Sequence, residues 1–381
     1  MRRAFISPSK YVQGKNELEN LGYFVESFGK VALLIANSDD IKRVKTQLDY
    51  TANKFDISFV ESDFAGDCTH VEINRLKQLG NYDCVIGLGG GKAIDTAKCV
   101  SDGKNLIVVP TIVSSDAPTS HCAVVYNEDK TFSKYLYLSQ NPSVVLVDTT
   151  VISNAPTRFL VAGMGDAIST YFEARTSKFS NSYVDAGFAC GKEAVATEAA
   201  LAIAKLCYEI ILRDGACAKI SNENKQVSLE LSNVVEANTL LSGLGFENGG
   251  LSIAHAVCNG FSLISDTHKF LHGEIVAFCT LVQLVFEDIY NTKYPDKIVA
   301  DSTNYLKELL PFYYEVGLPI TLEDIGLCDD VDLLMRVAKK ACEKDSCIHS
   351  SHIPVSWEAI FNAIEVASTT GTLYKQDAIN K

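Results

Sequence analysis

The sequence predicts an α/β half followed by an all-helical half, and three observations lead to this prediction. Up to about residue 150, short runs rich in β-branched residues alternate with helical stretches, which is typical of a parallel sheet covered by helices. After Pro156 these runs stop, and long apolar segments predict helices. Because 381 residues exceed what one core usually supports, we expect two domains, spanning residues 1–156 and 157–381.

The predicted elements follow from hydrophobic periodicity and from the turn residues between the runs. Compact apolar runs predict buried strands at 31–36, 57–60, 84–88, 106–109 and 144–147. Two-residue alternation at 123–126 and 131–138, around a polar turn, predicts an inserted hairpin. In the second half, length and apolar content predict helices at 166–175, 184–213, 227–242, 251–264, 272–290, 301–316, 331–344 and 357–368.

The composition excludes several classes of protein. The chain has 34 Lys and Arg residues against 47 Asp and Glu, and the net charge of −13 repels phosphate backbones and anionic lipids, so we expect no nucleic acid and no membrane as partner. The N-terminus lacks the apolar stretch of a secretion signal, and no run of about 18 apolar residues occurs, so we expect a cytoplasmic protein. The 12 cysteines form no C-x-x-C pair, which predicts reduced, mostly buried thiols.

A glycine-rich turn is the first candidate binding element. Gly89, Gly90 and Gly91, followed by Lys92, come directly after an apolar run and open a helical stretch that begins at Ala93. Glycines let a pyrophosphate approach the main chain, and a new helix offers unpaired N–H groups and the positive end of its dipole. The alternative is a tight strand-to-helix turn that binds no ligand, because short glycine motifs match falsely.

Two aspartates, Asp116 and Asp166, are candidates for a functional role because of where they lie in the predicted elements. Asp116 lies in a hydroxyl-rich segment, residues 111–120, that follows the strand predicted at 106–109, where open α/β sheets bind ligands at their carboxyl edge. A plain polar loop has the same composition. Asp166 follows Gly163-Met164-Gly165 and is expected at the start of a helix, where a helix N-cap is the common role of such a residue.

Two of the seven histidines have apolar surroundings. His255 lies within a predicted buried helix, and His272 directly precedes another apolar helix. Each could be a hydrogen-bonded core histidine. Together with Asp166 they supply one carboxylate and two imidazoles, the protein ligands of an open Zn²⁺ or Fe²⁺ site. Spacing along the chain does not establish that the three meet.

Six ordered motifs together carry a resemblance that composition does not supply. They span residues 89–98, 110–118, 163–167, 246–251, 255–260 and 272–274. In this order they resemble the glycerol dehydrogenases of the iron-containing alcohol dehydrogenase superfamily, which also includes dehydroquinate synthase. The resemblance runs over nearly the whole chain. It implies a dehydroquinate synthase-like fold, with a Rossmann-like N-terminal domain that binds the dinucleotide and a helical C-terminal domain that binds metal and substrate.

The resemblance also implies the site. Asp166, His255 and His272 match the zinc ligands, with Fe²⁺ as the other possible ion, and Asp116 matches the aspartate that contacts the polyol. The implied NAD contacts are Gly89, Gly90, Gly91, Lys92, Ala93, Thr111, Ser114, Ser120, Cys122 and Tyr126. Asn37 stands where the family commonly has an aspartate for the adenosine ribose, and it lacks the charge that repels a 2′-phosphate. We therefore expect a weaker preference for NAD over NADP, with Asp39 and Asp40 restoring some of the repulsion.

The resemblance implies NAD- and metal-dependent oxidation of glycerol to dihydroxyacetone, and the reverse reduction, by a homo-oligomer. Three alternatives stay open. The chain could act on another small alcohol, vicinal diol or hydroxyketone with the same fold. It could be a lyase of the dehydroquinate synthase type that regenerates its NAD. It could also bind metal without catalysis, although every candidate ligand is retained.

Overall fold

A computed structural model describes residues 1–64, 66–297 and 300–380 of the chain. The strands in this part of the chain are β1 (Tyr11–Gly14), β2 (Val31–Ala36), β3 (Ser58–Asp63), β4 (Cys84–Gly89), β5 (Leu106–Pro110), β6 (Cys122–Tyr126), β7 (Phe132–Tyr137) and β8 (Val144–Asp148). Six of them form one sheet in the order β1-β8-β5-β4-β2-β3, and all neighbours are parallel. The predicted parallel sheet is therefore confirmed.

The carboxyl ends of β2, β4 and β5 lie side by side. Gly89 on β4 is in register with Pro110 on β5, and Ile35 on β2 is in register with Gly87 on β4. The segments that follow these three strands therefore emerge at one edge of the sheet. Three of the predicted binding segments, at Asn37, at the glycine turn and at Thr111, are brought together there.

The remaining two strands, β6 and β7, pair as an antiparallel hairpin, as predicted. Strand β1 was not predicted. It has four residues at the edge of the sheet, and none of them is fully buried. A strand this short and half-exposed has neither an apolar run nor a clear alternation, so hydrophobic periodicity does not reveal it.

Helices cover both faces of the sheet. The helices of the first half are α1 (Leu21–Glu26), α2 (Ser38–Phe55), α3 (His70–Leu76), α4 (Gly91–Ser101) and α5 (Thr149–Ser153). Leu34 and Ile86 point to one face and pack in a core cluster with Leu48 of α2. Leu33 and Val85 point to the opposite face and belong to a larger cluster that continues into the helical half. Burial on both faces explains why the strands are continuous apolar runs.

No strand follows β8 among the described residues, and the described part of the chain after it consists of helices with irregular connections. Its α-helices are α6 (Thr157–Ser180), α7 (Asp185–Ala189), α8 (Glu198–Glu223), α9 (Leu229–Glu236), α10 (Ser242–Gly249), α11 (Ile253–Phe261), α12 (His272–Lys293), α13 (Ser302–Val316), α14 (Val331–Ala341) and α15 (Trp357–Ile379). A π-helical segment, Ala237–Leu241, joins α9 to α10. None of the helices in the described residues has the length and apolar character needed to cross a bilayer.

The prediction of one helix at 184–213 is wrong. The structure has the short helix α7, an irregular segment over 190–197, and then α8. Gly191 adopts a positive φ of 78°, which ends the first helix, and the Thr197 side chain accepts a hydrogen bond from the Ala200 N–H, which starts the second. The prediction rested on the length and apolar content of the segment, which do not indicate where one helix ends and the next begins. The cysteine prediction holds in part, because all 12 thiols are free but only six are buried.

Candidate active site

The three candidate metal ligands, Asp166, His255 and His272, come from three helices and meet at one point. His255 Nε2 and His272 Nε2 each lie 3.5 Å from Asp166 Oδ1, and the two nitrogens lie 3.4 Å apart. The donor atoms thus form a nearly equilateral triangle. The residues are 89 and 17 positions apart along the chain (255 − 166 and 272 − 255). Only tertiary packing brings them together.

The expectation that Asp166 begins a helix is wrong. Helix α6 begins at Thr157, and Asp166 lies in its middle. Gly163 and Gly165, which precede it, do not mark the start of a helix but allow other residues to pack closely against α6. A Cβ atom on Gly165 would lie 2.4 Å from the Gly273 carbonyl oxygen, and one on Gly273 would lie 1.9 Å from the Ala162 carbonyl oxygen. Backbone therefore packs on backbone where α6 meets the start of α12, and this contact brings His272 next to Asp166.

The donor set fits a divalent ion. Asp166 is 2% exposed, and its Oδ1 atom is buried without a hydrogen-bond partner in the protein. A buried carboxylate oxygen left unpaired costs free energy unless something compensates it. Tetrahedral coordination with bonds of about 2.0–2.1 Å separates ligand atoms by about 3.4 Å, close to the distances between these three atoms. One carboxylate with two imidazoles suits zinc and non-haem iron alike.

A fourth residue, Glu173, orients one of the ligands. It lies seven positions after Asp166 on α6, is fully buried, and its Oε2 atom is 2.5 Å from His255 Nδ1. Its Oε1 atom accepts hydrogen bonds from the N–H groups of Ser252 (2.8 Å) and His255 (2.9 Å). The Nδ1–H of His255 therefore donates to the carboxylate, and Nε2 keeps a lone pair toward Asp166.

Glu173 was not predicted, although the sequence holds a signal for it. A carboxylate in an apolar helix, two turns after a candidate ligand, shares the helical face of that ligand. The other candidate histidine ligand, His272, contacts a thiol instead of a carboxylate, because its Nδ1 atom lies 3.7 Å from the sulfur of Cys258. The two imidazoles are thus held by different groups, a carboxylate and a thiol.

Asp116 lies in the loop that follows β5 and faces the same centre. The Ser242 hydroxyl, at the start of α10, donates a 2.8 Å hydrogen bond to its Oδ2 atom. Burial, together with the negative charge of Asp166, raises the pKa of Asp116 to about 7, while the hydrogen bond from Ser242 opposes the increase. The predicted polyol-contacting aspartate is therefore close enough to the candidate metal ligands to respond to their charge.

The π-helical segment holds this loop from the helical side. Asn238 donates hydrogen bonds to the carbonyl oxygens of Val113 (3.1 Å) and Leu160 (3.0 Å). The Thr119 hydroxyl donates a 3.0 Å hydrogen bond to the carbonyl oxygen of Thr239. The widened helical turn brings these groups to the loop, and π-helical turns of this kind are frequent at functional sites. Nothing in the sequence predicts it.

The glycine turn has the features of a dinucleotide-binding turn. Gly89 has a φ of 146°, and Gly90 caps α4 without a side-chain hydrogen bond, so the first N–H groups of the helix stay available. A Cβ on Gly91 would have no contact shorter than 3.9 Å, so space lies in front of the turn. A Cβ on Gly87 would lie 2.6 Å from Ala97 Cβ, so this glycine lets α4 pack closely on β4. These are roles that glycines play in Rossmann turns.

Two of the other predicted NAD contacts also lie at this edge of the sheet, but their side chains are already bonded within the protein. The Asn37 side-chain oxygen accepts from the N–H groups of Asp39 (3.0 Å) and Asp40 (2.8 Å), capping α2. The Thr111 hydroxyl donates a 3.0 Å hydrogen bond to Asp40. Buried Asp40 is also paired with Arg43. The positive charge of Arg43 therefore offsets part of the repulsion expected from Asp40.

The remaining predicted NAD contacts lie on α4, in the segment after β5 and on the hairpin. Lys92 Nζ lies 2.5 Å from an Asp67 carboxylate oxygen and 5.5 Å from the centre of the Tyr126 ring. Ser120 is buried, and its hydroxyl lies 3.1 Å from Lys98 Nζ. Cys122 begins β6 and is partly exposed. Ser114, in the loop after β5, is partly exposed too.

Comparisons with known proteins identify similar sequences and structures. A family model described as iron-containing alcohol dehydrogenase matches residues 8–149. A glycerol dehydrogenase from Thermotoga maritima is 42% identical, covering 97% of this chain and 98% of its own length. A glycolaldehyde reductase from Halobacterium salinarum is 38% identical with the same coverage. The structure of glycerol dehydrogenase from Schizosaccharomyces pombe is similar with a TM-score of 0.89 at 34% identity, covering 99% of this chain and 93% of that chain.

Proposed function

The chain belongs to the iron-containing alcohol dehydrogenase family, and from this membership we propose that it oxidises glycerol at the secondary hydroxyl to dihydroxyacetone, with NAD as the hydride acceptor. The reaction converts glycerol and NAD⁺ to dihydroxyacetone, NADH and a proton, and runs in reverse as a reduction. The observation that carries the proposal is the convergence of Asp166, His255 and His272 around an unpaired carboxylate oxygen, near Asp116. Relatives named for glycerol support the substrate.

In this proposal Asp166, His255 and His272 hold a divalent ion, either zinc or iron. The chemistry that such an ion supplies is Lewis-acid polarisation of an alcohol or carbonyl oxygen. The residues contribute one negative charge in total, because both imidazoles bind a metal in their neutral form. The hydrogen bond from His255 Nδ1 to Glu173 keeps the Nε2 lone pair available for this role.

Asp116 orients the substrate. Its Oδ2 atom is taken by the Ser242 hydroxyl, which leaves Oδ1 to accept a hydrogen bond from a hydroxyl of the polyol. A carboxylate at this point selects substrates with a second hydroxyl near the reacting carbon. Solvent receives the proton that the reaction releases.

The glycine turn and the start of α4 bind the dinucleotide phosphates. Their N–H groups and the helix dipole favour an anion, and the open space in front of Gly91 admits it. NAD supplies a hydride acceptor at the nicotinamide ring. We assign contacts with the nicotinamide half to the segment around Ser120 and Cys122, which follows Asp116 in the chain and is hydrogen-bonded to Lys98 of α4.

The test is a reduction assay with NAD and with NADP over glycerol, 1,2-propanediol and a simple primary alcohol. We expect the fastest turnover with glycerol or 1,2-propanediol, loss of turnover with a chelator, and recovery when Zn²⁺ or Fe²⁺ is added back. His255→Ala should lose both metal and turnover. His349→Ala is the control, at an exposed histidine whose Nε2 atom lies 3.0 Å from the Glu343 carbonyl oxygen and which is not among the candidate ligands. Full turnover by the chelated enzyme, or by metal-loaded His255→Ala, would contradict the proposal.

A second candidate substrate is a small hydroxyaldehyde, because the Halobacterium salinarum relative is named for glycolaldehyde. The same site accommodates this reaction, since the carbonyl and hydroxyl of glycolaldehyde are vicinal, like the oxygens of glycerol. Comparing kcat/KM for glycolaldehyde reduction with that for dihydroxyacetone reduction separates the two. The homo-oligomeric state, the cytoplasmic location and the domain boundary after residue 156 stay predictions.

A further inference from the structure

Lys98 is a fully buried lysine on α4. This helix starts at the glycine turn, and the Lys98 side chain has no solvent-exposed surface. Removing an ammonium group from water costs several kcal/mol unless its donors are satisfied. A methionine or leucine would fill the same volume in this apolar helix without that cost. The presence of a charge therefore calls for an explanation.

The ammonium group is fully bonded, mostly to one loop. Lys98 Nζ donates hydrogen bonds of 2.6 Å to the carbonyl oxygens of both Ala117 and Cys122. Its third donor lies between the Ser120 hydroxyl at 3.1 Å and Asp95 at 3.4 Å. An ammonium group has three donors, so none is left free. The two short bonds reach Ala117 and Cys122, which flank residues 118–121, a segment without regular secondary structure.

Asp95 completes the attachment of this segment to α4. Its second carboxylate oxygen accepts a 3.0 Å hydrogen bond from the Val124 N–H in β6. The pair Asp95 and Lys98 therefore joins one face of α4 to both the loop and the hairpin. From the other side, buried Glu247 of α10 accepts a 2.6 Å hydrogen bond from the His121 N–H. The loop is thus held between the dinucleotide-binding helix and the helical half.

The position of this loop sets the distance between two parts of the site. Asp116 immediately precedes Ala117, whose carbonyl oxygen Lys98 binds, and the glycine turn lies two helical turns before Lys98 on α4. We propose that Lys98 is a positioning residue that holds Asp116 and the nicotinamide-side loop at a fixed distance from the dinucleotide-binding turn. This inference rests on the proposed function. Hydride transfer needs reacting atoms about 3–3.5 Å apart, and a displacement of about 1 Å costs on the order of 100-fold in rate.

Lys98→Met tests the proposal, because methionine keeps the volume and removes all three donors. We expect kcat for glycerol to fall about 100-fold, while the metal content and the dissociation constant of NADH stay within about threefold of wild type. Leu21→Ala is the control, since it weakens the core on the far face of the sheet without touching the loop. A merely structural role predicts the same fall in Tm for both variants and the same small change in kcat.

A second variant covers the case in which Lys98→Met does not fold. Asp95→Asn/Lys98→Met removes the whole buried ion pair, so no unpaired carboxylate is left to destabilise the fold. The proposal predicts that this variant folds and has the same loss of kcat. Wild-type kcat in either folded variant overturns it, and so does failure of both to fold, since Lys98 would then serve the fold itself. If the wild type does not oxidise glycerol, the proposed function fails instead.

Discussion

Replacement of Glu173 by Gln tests whether the orientation of His255 decides metal binding. The two carboxylate oxygens of Glu173 have different partners: Oε1 accepts from two backbone N–H groups, and Oε2 accepts from His255 Nδ1. In Glu173→Gln the amide oxygen keeps the two backbone bonds. The amide NH₂ then faces Nδ1, where two donors would oppose each other.

The histidine relieves this conflict by moving its proton. With the proton on Nε2, Nδ1 accepts from the glutamine, and the lone pair that faces Asp166 is lost. Losing such a partner of a metal-bound histidine lowers metal affinity about 10- to 100-fold, which corresponds to about 1.4–2.7 kcal/mol. If instead the glutamine amide rotates by 180°, its NH₂ group faces the two backbone N–H donors rather than the single donor on His255. The orientation in which the amide oxygen keeps the backbone bonds is therefore favoured.

Metal affinity is measured by competition with a chelator of known affinity, and turnover is measured at saturating metal. Glu287→Gln is the matched control, because Glu287 is also fully buried in the helical half but pairs with Arg175 rather than with a candidate ligand. We expect Glu287→Gln to lower Tm and leave the metal affinity unchanged. A metal affinity of Glu173→Gln equal to that of wild type would refute the reasoning.

Three further predictions follow from single contacts. Gly165→Ala should lower the free energy of unfolding by about 1–3 kcal/mol in denaturant titrations, because its Cβ would lie 2.4 Å from the Gly273 carbonyl oxygen; unchanged stability would contradict the packing. Asn37→Asp should raise the ratio of kcat/KM for NAD over NADP at least about tenfold, since a carboxylate repels a 2′-phosphate; an unchanged ratio would place the ribose elsewhere. Burial opposes ionisation of Asp324, but the hydrogen bond from Lys375 and backbone N–H groups outweigh it and lower its pKa. Asp324→Asn should therefore cost about 1 kcal/mol at pH 7, and this cost should disappear in acid, because stabilisation by a carboxylate with a lowered pKa is lost as pH falls through that pKa; an equal cost at pH 7 and in acid would count against an ionic role.

Much of the α/β half could be predicted from the sequence. The strands β2, β4, β5 and β8 are apolar runs because both of their faces are buried, and such runs are visible without a structure. The edge strand β1 was not predicted, and the break between α7 and α8 was predicted wrongly, because neither is marked by a long apolar run. Their boundaries depend on single hydrogen bonds and one positive φ, which leave no periodic pattern.

In the candidate site, too, some residues could be predicted from the sequence and others could not. Asp166, His255 and His272 stand out as polar residues in apolar helices, and the glycine turn stands out by composition. Glu173 and Lys98 are charged residues in equally apolar helices, but what each one binds is invisible in the sequence, since the partners lie 79 to 82 and 19 to 24 positions away.

The chain by itself determines which residues are available and which segments are buried, because hydrophobic periodicity and glycine chemistry are local properties. Only tertiary packing decides that Asp166 lies inside a helix rather than at its start. Backbone contact between α6 and α12 is possible only where glycines meet, and that contact brings the His272 imidazole within 3.5 Å of the Asp166 carboxylate. Helix α11 brings His255 to the same distance. Such a meeting depends on the distance between helices, which no local pattern encodes.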